Sequence, residues 1–231
     1  MEWKVIALFV QHFSTFMNAL VLTLEISIIS LAFATILGVV FGLFKISKIK
    51  PLVILSNFYT SIIRGTPLLV QIMFIYFGVP MVFGFKWPML MIGTWKVTSM
   101  MTSGIVIMSI NAGAYMTELV RGGVEAVDKG QMEAARSSGL SYGQAMIKII
   151  LPQAFRVMLP SIINQFICTL KDTSLLSIIG LRELTQNTKI IVANNMESFT
   201  MYFIVGVYYW LIVNVLTMIA SWIERRTSYG K

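Results

Sequence analysis

Apolar residues run along this chain in long blocks rather than in the alternating or 3.6-residue rhythm of a half-buried strand or surface helix. Ile26 to Phe44 is broken only by Ser27, Ser30 and Thr35, and Tyr202 to Ile223 only by Asn214, Thr217 and Ser221. Both exceed the roughly 18 residues that mark a membrane-spanning helix. Extending the same reading predicts five spans, at about 14–44, 52–82, 97–120, 152–170 and 200–223. The fold class is therefore an all-α integral membrane protein, with residues 1–231 forming a single transmembrane domain. Pro80, Gly84, Lys86, Trp87, Pro88 and Gly93 make a turn between the second and third spans. Residues 121–151 form a polar insert between the third and fourth. A polar stretch from Arg182 to Ser198 precedes the fifth.

Charge fixes an orientation for these spans. Only 12% of the residues are charged, about half the share of a soluble domain, yet the net charge is +8. In a soluble protein that balance would point to nucleic acid. Here the cations cluster instead at the ends of spans: Lys45, Lys48 and Lys50; then Arg121, Lys129, Arg136 and Lys148; then Arg225, Arg226 and Lys231. Short loops rich in Lys and Arg stay in the cytoplasm. Five spans put all three clusters on that side, with the N-terminus outside and the C-terminus inside. The short apolar patch Val5–Val10 runs into Gln11 and His12 without a small-residue cleavage site, so no cleavable signal is expected. Cys168 and His12 are each the only residue of their type, which leaves no internal disulfide and no Cys or His cluster for a metal.

The insert reads as two short helices joined by a bend. Gln131 to Ser138 is rich in helix formers, and Gly139 stands where a left-handed residue would close the first helix. Ser141-x-x-Gln144 has the form of a capping box that starts the second. Leu151-Pro152 then leads into the fourth span, with proline in a first helical turn. The small side chains of Ala134 and Ala135 allow a partner's surface to approach closely.

Ionisable groups inside spans cost roughly 2.5–3.5 kcal/mol on insertion scales, so they mark cavities or partners. Glu25, Arg64, Glu118, Lys171 and Asp172 fall in such places. Asn111, Tyr115 and Glu118 share one helix face at i, i+4 and i+7, and amide, phenol and carboxylate together suit a zwitterion. The run Lys171-Asp172-Thr173-Ser174 ends an apolar stretch that resumes at Leu175, a pattern expected of a discontinuous helix lining a transport site. There Asp172 would hold an ammonium and Thr173 or Ser174 a carboxylate. Substrate contact and structural ion pairing stand as alternatives for Asn111, Tyr115, Glu118 and Asp172. Arg64 and Lys171 fit a structural or gating role. Snorkelling or a subunit contact suits Glu25, and the 16 methionines and the aromatic residues suit lipid-facing and packing positions.

One pattern carries more. Glu133-Ala134-Ala135, then Gly139, Ile149 and Leu151-Pro152, resembles the "EAA loop" of bacterial ABC-importer permeases. Further blocks are similar to the polar amino acid branch of that family. They are Arg64-Gly65-Thr66-Pro67-Leu68-Leu69-Val70-Gln71, Gly113-Ala114-Tyr115-x-x-Glu118-x-x-Arg121-Gly122-Gly123, Val127-x-Lys129-Gly130-Gln131, Leu151-Pro152-Gln153-Ala154 and Lys171-Asp172-Thr173-Ser174-Leu175. The resemblance implies a five-span permease in the bacterial inner membrane that carries polar amino acids by alternating access. It also implies a second permease copy (identical or paralogous), two ATPase subunits gripping the insert, and an external solute-binding protein. No G-x-x-x-x-G-K-[ST] phosphate loop occurs in the chain, so Mg-ATP is expected on the partner and no catalytic residue here. The rival readings are an ion-coupled secondary carrier, an importer for another small solute, and a membrane enzyme, for which one Cys and one His make a poor inventory.

Overall fold

The computed structural model describes residues 2–228, so Lys231 of the third positive cluster lies outside the described residues. The first helix, α1 (Glu2–Ile46), is unbroken over 45 residues, about 65 Å at 1.5 Å per residue. That is twice the hydrocarbon thickness of a bilayer. Its first turns, which lie ahead of the span expected at 14–44, pack on the last helix: Phe9 stacks on Tyr208 with ring centroids 5.8 Å apart.

The second span is not one rod. Helix α2 (Lys50–Gly65) stops at Thr66, and α3 (Leu68–Met73) opens a second helical segment that continues through a π-turn at Phe74–Gly78 into α4 (Val79–Phe83). The two segments meet at 105°. Pro67 is the cause. It cannot donate to the carbonyl four residues back, and it forces the preceding Thr66 into extended geometry (φ −120°, ψ 145°). The uninterrupted span expected at 52–82 is thus corrected to a bent pair. A second proline, Pro80, withholds the hydrogen bond that the Tyr76 carbonyl would otherwise receive, and the Trp87 indole N–H donates there instead at 3.2 Å. A hairpin of β1 (Leu90–Ile92) and β2 (Trp95–Val97), turning at Gly93, follows.

Helix α5 (Ser99–Glu125) is the axis of the molecule, capped by Thr98, whose side chain accepts from the Met101 N–H. It lies against α1 at close range because Gly38 and Gly42 present no side chain there. A Cβ on Gly38 would sit 2.4 Å from Cβ of Met116, and one on Gly42 would sit 2.6 Å from Val120. Small residues four apart let backbones approach in this way inside membranes.

The insert forms α6 (Lys129–Ser137) and α7 (Tyr142–Ala145), and a π-turn at Met146–Ile150 joins α7 directly to α8 (Leu151–Asp172). Beyond Asp172 the helix tightens to 3-10 geometry over Thr173–Ile179 and ends at Gly180, with φ +79°. The discontinuity expected at Lys171–Ser174 is therefore a tightening without a gap. The break lies in the second span, where a proline follows an extended residue. The polar stretch 182–198 also takes on structure, as α9 (Leu184–Asn195), before α10 (Ser198–Ser228). Among the described residues, four helices are long and apolar enough to cross a membrane, or five when the bent pair is counted as one span.

Candidate functional site

A cavity of about 510 Å³ opens where the bend at Thr66–Leu68 faces α5 and α8. That is a volume suited to a small ligand. Asn111 and Tyr115 line it from α5, and Gln165, Cys168, Lys171 and Asp172 from α8. The expected polar residues Asn111, Tyr115, Lys171 and Asp172 thus converge on one space, and Gln165 and Cys168 join them. On α8, residues 165, 168 and 172 recur at three- and four-residue spacing, which turns them to one face.

The remaining residues singled out from the sequence lie elsewhere. Thr173 is fully buried, and its hydroxyl donates to the Leu170 carbonyl at 2.6 Å. Ser174 is half-buried in the 3-10 turn. Glu118, one turn beyond Tyr115, is the centre of an ion cluster. Lys45 from α1 and Arg121 from α5 donate to it, the latter at 2.9 Å, and Arg64 of α2 stands 3.5 Å away. Arg121 also pairs with Glu125. The Arg64 guanidinium lies 5.5 Å from the centroid of the Tyr115 ring, within cation–π range. Arg64 thus sits between a cavity-lining ring and the ion cluster.

Gln71 supports the cavity from behind. Its side-chain N–H groups donate to the carbonyls of Ile63 (2.7 Å) and Thr66 (3.0 Å), and its amide oxygen accepts from Asn111 Nδ2 at 2.9 Å. The Ile63 carbonyl is the one that Pro67 leaves without a backbone donor. Gln71 belongs to a quoted block, but its role is not legible there, because the bend that gives it work is tertiary. Glu183 is a second residue the sequence conceals. It is fully buried and caps α9, accepting from the Thr185 and Gln186 N–H groups at 2.8 and 2.6 Å and from the Tyr209 hydroxyl at 3.1 Å. Burial pushes its carboxyl up to about 7 against the lowering effect of those hydrogen bonds. Its only signal was an acid just ahead of a helix start.

The insert is built as its residues predict at the bend. Gly139 has φ +86°, and its N–H donates to the Arg136 carbonyl while that of Leu140 donates to Ala135. This pair of bonds is a Schellman closure. Ser141 and Gln144 form the reciprocal capping box. Glu133 and Ala134 are exposed, but Ala135 is buried, as are Ala145 and Ile150 beneath it. The small size of Ala135 therefore closes the elbow from inside and does not open a partner surface. Ile149 and Leu151 are half-buried, Pro152 is exposed, and Gln153 ties α8 back to Gln131 of α6 at 3.3 Å. Gly123 permits the end of α5 to lie on α8, since a Cβ there would meet Met158 at 2.1 Å.

Residues 34–229 match the family model described as "Binding-protein-dependent transport system inner membrane component". The chain belongs to this family. Among its relatives, the arginine transport system permease protein ArtQ of Bacillus subtilis is 35% identical over 91% of both chains. The putative glutamine transport system permease protein GlnP of Rickettsia felis is 35% identical over 88% of both. The solved structure of an amino acid ABC transporter with histidines superposes with a TM-score of 0.84 at 35% identity, covering 94% of this chain and 96% of that one. A chain of this family is an inner-membrane translocation subunit.

Proposed function

We propose that this permease carries polar amino acids through the cavity between the Thr66–Pro67 bend, α5 and α8. The observation that carries the proposal is the placement of Lys171 and Asp172, of opposite charge, on one cavity with the amides of Asn111 and Gln165. Asp172 receives the substrate ammonium and Lys171 its carboxylate, while the amides and Tyr115 contact the side chain. The relatives named for arginine and glutamine transport support this substrate class. Thr173 and Ser174 act from behind, by setting the tightened turn that aims Asp172. Arg64 and Glu118 tie α1, α2 and α5 together at the cavity's edge and move with the gate.

Work enters through the insert. Two ATPase subunits holding Mg-ATP grip Glu133, Ala134 and the Gly139 elbow. Their closure is passed to α8 through Ile149, Leu151 and Pro152, because α7, the π-turn and α8 form one continuous helix. A second permease copy completes the pathway, and an external amino-acid-binding protein delivers the solute. The N-terminus then lies outside and the C-terminus in the cytoplasm.

Reconstitution with the partner ATPase and binding protein tests both halves. Asp172→Asn is expected to cut ATP-driven amino-acid uptake about tenfold or more while the ATPase still co-purifies, the scale of one lost charge contact. Gly139→Val is expected to insert in the membrane yet lose ATPase co-purification, since a β-branched residue cannot hold φ +86° without strain. Solute uptake by the permease alone, driven by an ion gradient, would overturn the reading in favour of a secondary carrier.

A further inference from the structure

A second cavity, of about 650 Å³, lies between the α1–α2 turn and the insert. Lys48 and Arg136 line it, with Ser47, Ile49, Met132 and Tyr142, and no acid lines it. Neither cation takes part in an ion pair among the described residues. At its open face apolar and cationic side chains mix: Ile49 is 56% exposed and Tyr142 52%, beside the exposed Lys48 and Arg136. Ile49, which lines this space, precedes helix α2 with no side-chain cap, so the positive end of a 16-residue helix lies beside the two cations.

The depth of the cavity in the fold selects its occupant. Residues 47–49 lie between the end of α1 at Ile46 and the start of α2 at Lys50, the level at which lipid headgroups meet two membrane segments. From Lys50, the residues Ile54, Phe58 and Ile62 recur every four positions along α2, and all three are exposed. They form an apolar track running away from the cations. We infer that this cavity binds the phosphate of an anionic phospholipid, held by Lys48 and Arg136, with acyl chains along Ile54, Phe58 and Ile62. Charge complementarity argues for an anionic headgroup over a zwitterionic one. The combination of a headgroup-sized basic cavity with an exposed apolar track argues for a lipid over a soluble anion. Bound there, the lipid ties Arg136 of the insert to the membrane surface at the turn on which the lever pivots.

The test is lipid association with the purified permease in phosphatidylcholine vesicles carrying either spin-labelled phosphatidylglycerol or spin-labelled phosphatidylcholine. The wild type is expected to favour phosphatidylglycerol about fivefold. Lys48→Ala/Arg136→Ala is expected to lose that preference, and Lys48→Arg/Arg136→Lys to keep it, which separates lost charge from misfolding. Lys86→Ala/Lys96→Ala, at the opposite end of the bundle, is expected to keep it as well. The inference fails if the wild type shows no preference or the alanine pair retains it, since the cations would then serve a protein partner. It fails too if excess inorganic phosphate at constant ionic strength abolishes the preference, the signature of a free-anion site.

Discussion

Gln71 donates its side-chain N–H to the carbonyl of Ile63 at 2.7 Å, the acceptor stranded when Pro67 interrupts the helix. A break inside a membrane is tolerated only when the freed backbone groups find new partners. Gln71 supplies them from one turn further along and extends its other end to Asn111 in the cavity wall. The bend and the cavity are therefore one construction.

Gln71→Leu should show this. The variant strands two carbonyls and the Asn111 amide, at about 1–3 kcal/mol for each group left unsatisfied. A marked drop in the detergent melting temperature and loss of uptake are expected, whereas Asn111→Ala, which removes one bond, should melt closer to wild type. Equal melting of Gln71→Leu and wild type would mean that water caps the bend.

Glu118 answers several cations at once. Glu118→Gln leaves Lys45 and Arg121 without their shared anion, a loss of about 1–3 kcal/mol. Arg64→Gln removes a longer and more exposed contact and should cost about 0–1 kcal/mol. Thermal melts of the two variants should therefore rank in that order. The double variant Lys45→Met/Glu118→Met should recover part of the loss, because it removes the stranded charge.

Two close glycine contacts should respond differently to alanine. The Cβ of Gly38→Ala would press on Cβ and backbone carbon of Met116, which cannot yield without moving the helix. At Gly123 the obstructing atoms are Cγ and Sδ of the Met158 side chain, which can turn about χ1, with the Ala154 carbonyl oxygen at 3.2 Å. Gly38→Ala should therefore lose about 1–3 kcal/mol and Gly123→Ala less. Gly206→Ala, inside α10, meets nothing within 4 Å and serves as the clash-free control, melting at or above wild type.

The buried carboxyl of Glu183 gives a pH dependence whose sign follows from its raised value. Its proton is held more tightly in the folded protein than in the unfolded chain, where the group titrates near 4.5. Its contribution to stability is therefore full below about 4.5 and is lost as pH rises through about 7. Between pH 5 and 8 the wild type should lose melting temperature relative to Glu183→Gln, which has no proton to release. Parallel curves for the two proteins would remove Glu183 as the source.

Much of this was open to inspection in the chain itself. Gly139, Ser141 and Gln144 specify the elbow through local backbone chemistry, so their spacing was enough to place it. The long apolar runs announce membrane helices because burial in lipid needs only length and composition. The same logic misled at two points. Thr66-Pro67 lies within an apolar run whose length predicts one rod, though the local sterics of the residue before proline favour a break. Lys171–Ser174 has the pattern of an interruption, but Lys171 and Asp172 face the cavity and Thr173 donates to the Leu170 carbonyl, so the helix tightens to 3-10 geometry there without a gap.

The membrane helices, the elbow and four residues of the cavity wall were legible in the sequence, because each follows from near neighbours or from the solvent a segment prefers. Which candidates meet was decided by the tertiary structure. Asn111, Tyr115 and Glu118 share a helix face, yet two line a void and the third is claimed by cations from α1, α2 and α5. Ala134 and Ala135 are adjacent and chemically identical, yet one faces solvent and the other fills the elbow. Residues far apart in the chain set those outcomes through distance and charge, and no local pattern records them.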